Sequence, residues 1–380
     1  MSMLAVSLQA KNKHINIMKE DKIKEEELLE EDELKEEEGE VYITFDIATY
    51  PSDFTLAGIY QMWKDKDIVI PDFQREFVWG INQSSLLIES FLLGLPVPPV
   101  FFYIDEDNSN LVIDGQQRIL STVFFYQGFF GHENSRGKKQ VFRLGGLNKK
   151  SPYYKKTYDE LKDSDKRKLN TTVLRAINIR QLSPTGESTS MYHIFERLNT
   201  GGTPLKSQEI RNVVFRGELV AQLRALNEDD NWRKILGIKK LNKHQRDVEL
   251  VLRMLAFMKG PSSYEKPMKE FLNIAMKDNR FANTVESKKF NELFPKTTKF
   301  LIDTLGEKPF HLRGRLSTSS MDTIFPIVMN NFSKLSDNFK DKFDQLVENK
   351  EFIKLTTLAT TDESIVKARH ELVKNQLLGK

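Results

Sequence analysis

The segment Val112 to Arg118, with the sequence VIDGQQR, constrains this chain more than any other part of it. The residues up to Asp114 are typical of a buried strand, and the residues after Gly115 have helical periodicity up to Gly128. A strand, an Asp-Gly turn and a helix therefore follow one another without spare residues. Backbone N–H groups and the positive end of the helix dipole meet at this junction, which is the geometry that binds an anion such as a phosphate.

Each residue of this junction has a candidate role. Asp114 can hold a metal ion such as Mg²⁺ or orient a water molecule, and Gly115 allows close approach of a ligand to the backbone. Gln116 or Gln117 can hydrogen-bond a sugar or a base edge, and Arg118 can bind phosphate oxygens through its planar guanidinium. The alternative is structural, with Asp114 capping the helix and Arg118 pairing with a carboxylate.

A second motif, PDFQREFVW, runs from Pro71 to Trp79. It places Gln74 and Arg75 among aromatic residues, a combination that suits base stacking and phosphate contact. The aromatic rings can equally be core residues that hold the loop. Arg75 is harder to explain in that way, because arginine is almost never buried without a partner.

A third motif, FERLNTGGTPLKSQEIRN, runs from Phe195 to Asn212. Its glycine pair follows one predicted helix and its Thr-Pro step precedes another, so that backbone amides can face a ligand there. An ordinary helix C-cap is the alternative. The candidate ligand-binding residues of this motif are Asn199, Gly201, Gly202 and Lys206. Glu209 and Arg211 lie within reach of the same connection.

The order of apolar patterns predicts a mixed α+β unit followed by a mostly helical one. The first unit contains predicted strands at 41–47, 68–70, 96–104, 111–114 and 171–182, and predicted helices at 55–64, 82–94, 116–127 and 157–169. Beyond the loop SPTGES, almost every segment has helical periodicity. We therefore predict an acidic arm over residues 1–40, an α+β domain over 41–183 and a helical domain over 184–380.

The acidic arm shows clearly in the distribution of charge. Residues 20–40 contain thirteen acids and three lysines, so the first forty residues carry a net charge of −7 and the remaining 340 carry +10. A block of like charge with few aromatic residues does not collapse, and we expect a solvated arm or a frayed helix. It is either a solubilising tail or a mimic of nucleic acid that shields a basic groove.

Composition excludes several classes of protein. The chain contains no cysteine, which rules out disulfide scaffolds, thiolate zinc sites and cysteine nucleophiles. No run of about 18 apolar residues predicts a membrane span, and the first residues lack the features of a secretion signal. We therefore expect a soluble, cytoplasmic protein without a membrane partner.

The stretch from Arg136 to Arg180 is rich in lysine and arginine, with tyrosines between them. Clustered cations bind nucleic-acid phosphates, and tyrosine rings can stack on exposed bases. A solvated helix face is the alternative. The candidate DNA-binding residues are Lys149, Lys150, Tyr153, Tyr154, Lys155, Lys156, Lys166, Arg167 and Lys168.

The three motifs, in this order, resemble the N-terminal domain family of GmrSD-type modification-dependent restriction systems, which is related to the ParB and sulfiredoxin-like fold. The resemblance implies a nucleoside triphosphate-binding and hydrolysing unit, dependent on Mg²⁺, that acts in defence against foreign DNA. It implies an active centre at Asp114, Gly115, Gln116, Gln117 and Arg118, with Gln74 and Arg75 contributed by the second motif. Within that centre, we predict catalytic roles for Asp114, Gln117, Arg118 and Arg75.

In such systems nucleotide turnover is thought to gate cleavage by a nuclease domain or subunit, commonly of the HNH type. The six histidines of this chain are scattered without ligand spacing, so we expect no zinc site and no HNH module, and a separate nuclease subunit as partner. The nucleotide base and assembly as a homo-oligomer stay open.

Two alternatives to hydrolysis remain. The chain contains no G-x-x-x-x-G-K-[ST] string, so the same pocket can be a non-hydrolysing switch that binds nucleotide or DNA and recruits a nuclease. The third hypothesis is that the chain is itself a nuclease.

Overall fold

The computed structural model describes residues 46–70, 77–104, 108–131, 139–183, 189–198 and 205–379. The chain divides into two compact units, one over Ile43–Leu205 and one over Lys206–Lys380. The first unit is mixed α+β and the second is mostly helical, which confirms the predicted fold class.

The first unit is built on a five-stranded sheet with the order β1-β7-β3-β4-β2, and a two-stranded sheet pairs β5 with β6. Its strands are β1 Asp46–Thr55, β2 Ile68–Val69, β3 Val100–Ile104, β4 Asn110–Asp114, β5 Phe129–Phe130, β6 Gln140–Val141 and β7 Val173–Ser183. Strand β4 is antiparallel to β3 and parallel to β2. The strands predicted at 96–104 and 111–114 correspond to β3 and β4, which pair antiparallel.

The helices of the first unit agree with the apolar periodicity, except that the helix predicted over 157–169 begins later. They are α1 Leu56–Lys64, α2 Ile81–Leu93, α3 Gln116–Gln127, α4 Asp163–Thr171 and α5 Ser190–Leu198. Apolar side chains of the first four pack in one core with β3, β4 and β7. Burial of this apolar area is the main stabilising contribution to the unit.

Three predicted elements of the first unit have wrong boundaries, one of them the strand predicted over 96–104, which begins only at Val100. The helix predicted over 157–169 begins only at Asp163, because the Glu160 carboxylate accepts a hydrogen bond from the Thr157 N–H at 3.1 Å and holds a turn there. Strand β1, predicted to end at residue 47, continues to Thr55 through Pro51. It lies at the edge of the sheet, where a proline can be accommodated without loss of a ladder hydrogen bond.

The extent of the first unit also differs from the predicted domain boundary at residue 183. Helix α5 packs against β4, so the compact unit continues to Leu205. The predicted acidic arm, residues 1–40, lies outside the described residues.

The second unit consists of helices joined by short connections and one small hairpin. Its helices are α6 Ser207–Val214, α7 Glu218–Asn227, α8 Asp230–Leu236, α9 Arg246–Ala256, α10 Met268–Asp278, α11 Val285–Leu305, α12 Thr318–Asn330, α13 Phe339–Glu348, α14 Lys350–Leu355 and α15 Glu363–Leu378. Strands β8 His311–Leu312 and β9 Arg315–Leu316 form the hairpin. Aromatic rings of Trp232, Phe294 and Phe325 contact one another in its core.

Candidate functional site

The predicted strand–turn–helix junction is present in the first unit. Strand β4 ends at Asp114, helix α3 begins at Gln116, and Gly115 between them has a φ of 98°. A Cβ atom on Gly115 would lie 2.4 Å from Cγ1 of Val100, the first residue of β3. Gly115 is thus required by both its left-handed conformation and the packing of the turn on β3.

Asp114 and Arg118 form an ion pair within this junction. Arg118 Nη2 lies 2.8 Å from Asp114 Oδ2 and donates to the Pro99 carbonyl at 3.0 Å. The Asp114 side chain is 47% exposed and that of Arg118 only 17%. The geometry therefore matches the pairing expected under the structural alternative, with a carboxylate still half open to solvent.

The guanidinium of Arg118 retains further hydrogen-bonding capacity. Its Nε is buried and has no hydrogen-bond partner among the residues that the structure describes. A planar guanidinium can donate five hydrogen bonds, so Arg118 can engage another acceptor without giving up Asp114. Gln116 is the first residue of the helix, at the positive end of its dipole.

Gln117 contacts the end of the second motif. Its Oε1 accepts hydrogen bonds from the N–H groups of Val78 and Trp79, each at 3.1 Å. Just before them, the ring of Phe77 packs edge-to-face on Phe124 of helix α3 at 5.0 Å. Two predicted motifs therefore meet at helix α3, as the aromatic-core alternative expected for Phe77, and the oxygen of Gln117 is engaged in this link.

Several predicted site residues lie outside the described residues. These are Gln74 and Arg75 of the second motif, and Asn199, Gly201 and Gly202 of the third. The residues on both sides of Gln74 and Arg75 are described. Before them, β2 runs parallel to β4 toward the Asp114 end of the sheet. After them, the N–H groups of Val78 and Trp79 donate hydrogen bonds to Gln117.

The part of the third motif from Lys206 onward has a structural role within the second unit. The N–H of Lys206 donates to Glu209 Oε2 at 2.7 Å, which caps helix α6. Arg211 is 1% exposed and donates to Glu249 Oε2 at 2.8 Å and to Asn273 Oδ1 at 3.0 Å. Arg211 is thus part of the interior of the unit rather than an open ligand site.

Glu249 is the centre of this buried network. Burial by itself would raise the pKa of its carboxyl, but the charges of Arg246, Arg211 and Arg253 override that effect and lower it to about 2. A buried carboxylate surrounded by three guanidinium groups stays ionised at neutral pH. The network therefore joins α6 and α9 through charge.

The predicted DNA-binding residues of the first unit divide by exposure. Lys149, Lys150, Lys155, Arg167 and Lys168 are exposed. Tyr153 is only 9% exposed, so its ring is not available for base stacking, and that part of the prediction is corrected. Burial, with the carboxylates of Asp165 and Glu89 nearby, raises the pKa of its hydroxyl. Sequence could not distinguish the buried Tyr153 from the half-buried Tyr154 beside it, because burial depends on tertiary packing.

The other members of the predicted set are partly engaged by their neighbours. Lys166 is half-buried and donates to the Asp159 carbonyl at 2.8 Å. Lys156 Nζ donates to the Glu160 backbone carbonyl at 3.4 Å, and Tyr154 is half-buried, with its ring centroid 5.5 Å from Nζ of the exposed Lys155. Of the predicted cations, Lys156 and Lys166 are therefore partly engaged by the protein itself.

Metal-ligand clusters and membrane-spanning helices are both absent from the described residues. In those ranges, no three histidine, aspartate or glutamate side chains are grouped as metal ligands. In the same ranges, each helix is too short or too polar to span a bilayer.

Comparison with known proteins confirms the resemblance stated from the motifs. Residues 56–216 match the family model described as GmrSD restriction endonuclease, N-terminal domain, which is somewhat under half of the chain. No curated protein matches the chain significantly. A solved structure of a Pnob8-like ParB-N domain, in its C2221 form, aligns over 85% of this chain and 100% of its own, with 11% identity and a TM-score of 0.20. Two chains at that TM-score do not need to share a fold.

Proposed function

We propose that this chain is a component of a GmrSD-like DNA restriction system, in which the first unit binds and hydrolyses a nucleoside triphosphate and thereby gates a partner nuclease. The observation that carries the proposal is the family match over residues 56–216, which includes the Asp114–Arg118 junction. The partner nuclease, the nucleotide and DNA are all parts of the proposal.

The geometry of the junction supports phosphate binding. The unpaired backbone N–H groups of the first turn of helix α3 lie at the positive end of the helix dipole, directly after Gly115. Arg118 brings a fixed positive charge to the same point. Such charges stabilise the negative charge that develops during phosphoryl transfer.

Asp114 is the group that would hold Mg²⁺. This ion is commonly bound by one or two carboxylates together with substrate phosphates and water, and Asp114 offers one half-exposed carboxylate. When bound, the ion would neutralise phosphate charge. Asp114 itself would orient the attacking water or the ion, and its pairing with Arg118 keeps its carboxylate in one position.

The remaining roles follow from the resemblance. Arg75 would stabilise transition-state charge together with Arg118, and Gln117 would act in catalysis. Nucleotide contacts would come from Gln74, Gly115, Gln116, Asn199, Gly201, Gly202 and Lys206. The exposed cations Lys149, Lys150, Lys155, Arg167 and Lys168 would contact DNA, whose presence is expected to change turnover.

The test is phosphate release from each of the four common nucleoside triphosphates with Mg²⁺, with and without DNA. Asp114→Ala and Arg118→Ala are each expected to abolish turnover, whereas Asp159→Ala, an exposed aspartate of the same unit, should retain it. Circular dichroism would establish that each variant is folded. Turnover that is equal in wild type and Asp114→Ala would refute the assignment.

A nucleotide-binding switch without hydrolysis is the second candidate. The observation in its favour is that the sequence contains no G-x-x-x-x-G-K-[ST] phosphate loop that would support hydrolysis. Equilibrium dialysis with labelled nucleotide separates the two hypotheses. Binding that is retained without phosphate release, and weakened by Arg118→Ala, would favour the switch.

A further inference from the structure

The second unit has its own group of exposed cations, which the sequence motifs do not include. Helix α8 ends at Leu236, and the connection to α9 exposes Lys239, Lys240 and Lys243, with Lys234 exposed one turn earlier. Seven residues that share this region form what we call the second-unit basic surface: Lys234, Lys239, Lys240, Lys243, Lys308, Arg313 and Arg315.

The loop that carries three of these lysines is held in one conformation from inside. Arg233 donates to the carbonyls of Ile238, at 3.0 Å, and of Lys240. The same guanidinium pairs with the buried Asp247 at 2.7 Å, and Asp247 also accepts from the Asn242 N–H at 3.0 Å. The backbone is therefore fixed by Arg233 and Asp247, while the lysine side chains extend into solvent.

Lys308 joins this loop to the β8–β9 hairpin. Its N–H donates to the Lys234 carbonyl at 3.2 Å, and its side chain packs so closely on Gly237 that a Cβ there would lie 2.4 Å from Lys308 Cε. The Lys308 carbonyl in turn accepts from the N–H of His311, the first residue of β8. Burial and the charge of Lys308 lower the pKa of His311, which agrees with a cation placed beside the hairpin.

The hairpin presents arginine at its tip. Arg313 and Gly314 form a two-residue turn with φ values of 58° and 84°, as in a type I′ turn, whose conformation matches the twist of the strands. Arg313 and Arg315 are exposed. Arg313 lies five positions after Lys308, so their Cα atoms are at most about 18 Å apart.

Six of the seven cations of this surface are not paired with neighbouring acids in the described part of the chain. Among the residues that the structure describes, Lys234, Lys239, Lys240, Lys243, Lys308 and Arg313 form no ion pair with a carboxylate. Elsewhere in the same unit, exposed lysines do pair, such as Lys296 with Glu292 at 2.7 Å and Lys299 with Asp303 at 2.9 Å. Glu307 is an exposed acid next to Lys308 in the sequence.

We propose that the second-unit basic surface binds the phosphate backbone of duplex DNA. Duplex DNA carries about one charge per 1.7 Å of its axis, so its phosphates are dense enough for several of these cations to contact them at once. The loop and the hairpin tip are held by backbone hydrogen bonds, so their cations lose little backbone freedom on binding. The inference goes beyond the proposed nucleotide centre and does not depend on it.

The composition of the surface favours nucleic acid over an acidic peptide. Peptide and protein partners depend on apolar anchors for affinity, and among the described exposed apolar residues only Leu241, at 57% exposure, lies on this surface. Binding to DNA phosphates depends on charge. The acidic segment at residues 20–40 of this chain is the competing occupant, and a peptide of that sequence distinguishes it from DNA.

The experiment measures the affinity of the full chain for a fluorescent 20-base-pair duplex by anisotropy, over a range of salt concentrations and without nucleotide. The variant replaces Lys239, Lys240 and Lys243 by glutamine. The matched control replaces Lys296, Lys299 and Lys367, three exposed and ion-paired lysines of the same unit, so that the net charge changes equally. A second variant combines Lys308→Gln with Arg313→Asn, because asparagine tolerates the left-handed turn position.

The triple variant is expected to lose at least tenfold in affinity for DNA at low salt. The logarithm of its association constant should also decrease less steeply with the logarithm of salt concentration, by about two to three in slope. The control should stay within twofold of wild type. Equal affinities of variant and control, or no binding by the wild type, would overturn the proposal. So would a variant that binds DNA normally but loses binding to a synthetic peptide of residues 20–40.

Phosphate release by the triple variant in the absence of DNA separates this inference from the proposed function. It should equal that of wild type. If Asp114→Ala instead shows that the chain has no nucleotide turnover, the DNA measurement stands unchanged.

Discussion

Gly115 is restricted to glycine by the packing of the first unit, independently of any ligand. We expect Gly115→Ala to lower the free energy of unfolding by at least about 2 kcal/mol, because a left-handed alanine costs about 1 kcal/mol and the methyl group meets Val100. Urea denaturation measures the change. Gly128→Ala is the control, since Gly128 has a φ of 76° but nothing within 4 Å of the position that an added methyl group would take.

Gly128→Ala should therefore lower the free energy of unfolding only by the cost of a left-handed alanine, without a steric clash. Adding Val100→Ala to Gly115→Ala makes room for the methyl group, although it also removes buried apolar area. Equal destabilisation by the two glycine substitutions would contradict the packing argument.

Gln117 holds the end of the second motif through one oxygen. Replacing it by methionine keeps the length of the side chain but removes the acceptor of two N–H groups. We expect amide hydrogen exchange at Val78 and Trp79 to become at least tenfold faster, because each loses its hydrogen bond while the helix persists. Gln127→Met, at the exposed end of the same helix, should leave both amides unchanged.

Unchanged exchange at Val78 and Trp79 in Gln117→Met would mean that other contacts hold the segment. The measurement also bears on the predicted catalytic role of Gln117. If exchange at these amides is already faster without nucleotide, a loss of turnover in this variant is due in part to the changed structure of the segment at Val78 and Trp79.

At the scale of elements, helices α6 and α9 are joined by the charge on Glu249. Glu249→Gln leaves Arg211, Arg246 and Arg253 without their shared anion, and we expect a loss of roughly 3 kcal/mol or more at pH 7. The exposed Glu292→Gln, which breaks only a surface pair, should change stability little. Urea unfolding of both variants measures the difference.

The same network predicts a dependence on pH. The folded-state pKa of Glu249, about 2, lies below its ordinary value of 4.5, so its contribution to stability is present above pH 4.5. It is lost as the pH falls toward 2, because the carboxyl is then protonated in the folded state as well as in the unfolded state. The difference between wild type and Glu249→Gln should shrink over this window, and a constant difference would argue against it.

At the scale of the whole molecule, each unit contains its own buried core. We expect a fragment of residues 206–380 to fold alone, because its core rings, such as Trp232, Phe294 and Phe325, contact one another within it. Circular dichroism should show a helical spectrum that unfolds cooperatively in urea. A fragment of residues 230–380, which lacks α6 and with it Arg211, should be much less stable.

If the 206–380 fragment is unfolded while the full chain is folded, the second unit needs the first for stability. That outcome would also change how the basic surface of the second unit is tested, since all its residues lie within this fragment.

The order of strands and helices around Asp114 was readable from sequence. The hairpin β3–β4, the turn at Gly115 and the helix to Gln127 follow from apolar periodicity and from glycine, which act over neighbouring residues. The three motifs also sufficed to predict the family resemblance, which the match over residues 56–216 confirms. Local patterns carry this information because backbone conformation is selected mainly by nearby side chains.

The partners of the same residues were decided only by tertiary structure. Arg118 donates to a backbone carbonyl 19 residues earlier, Gln117 accepts from amides 38 and 39 residues away, and Tyr153 is buried although Tyr154 beside it is less so. Lys308 meets the loop of Lys234 and Gly237 in the same way. Backbone acceptors are alike in every residue, so sequence cannot identify which one a side chain will meet; that choice is made when distant elements pack.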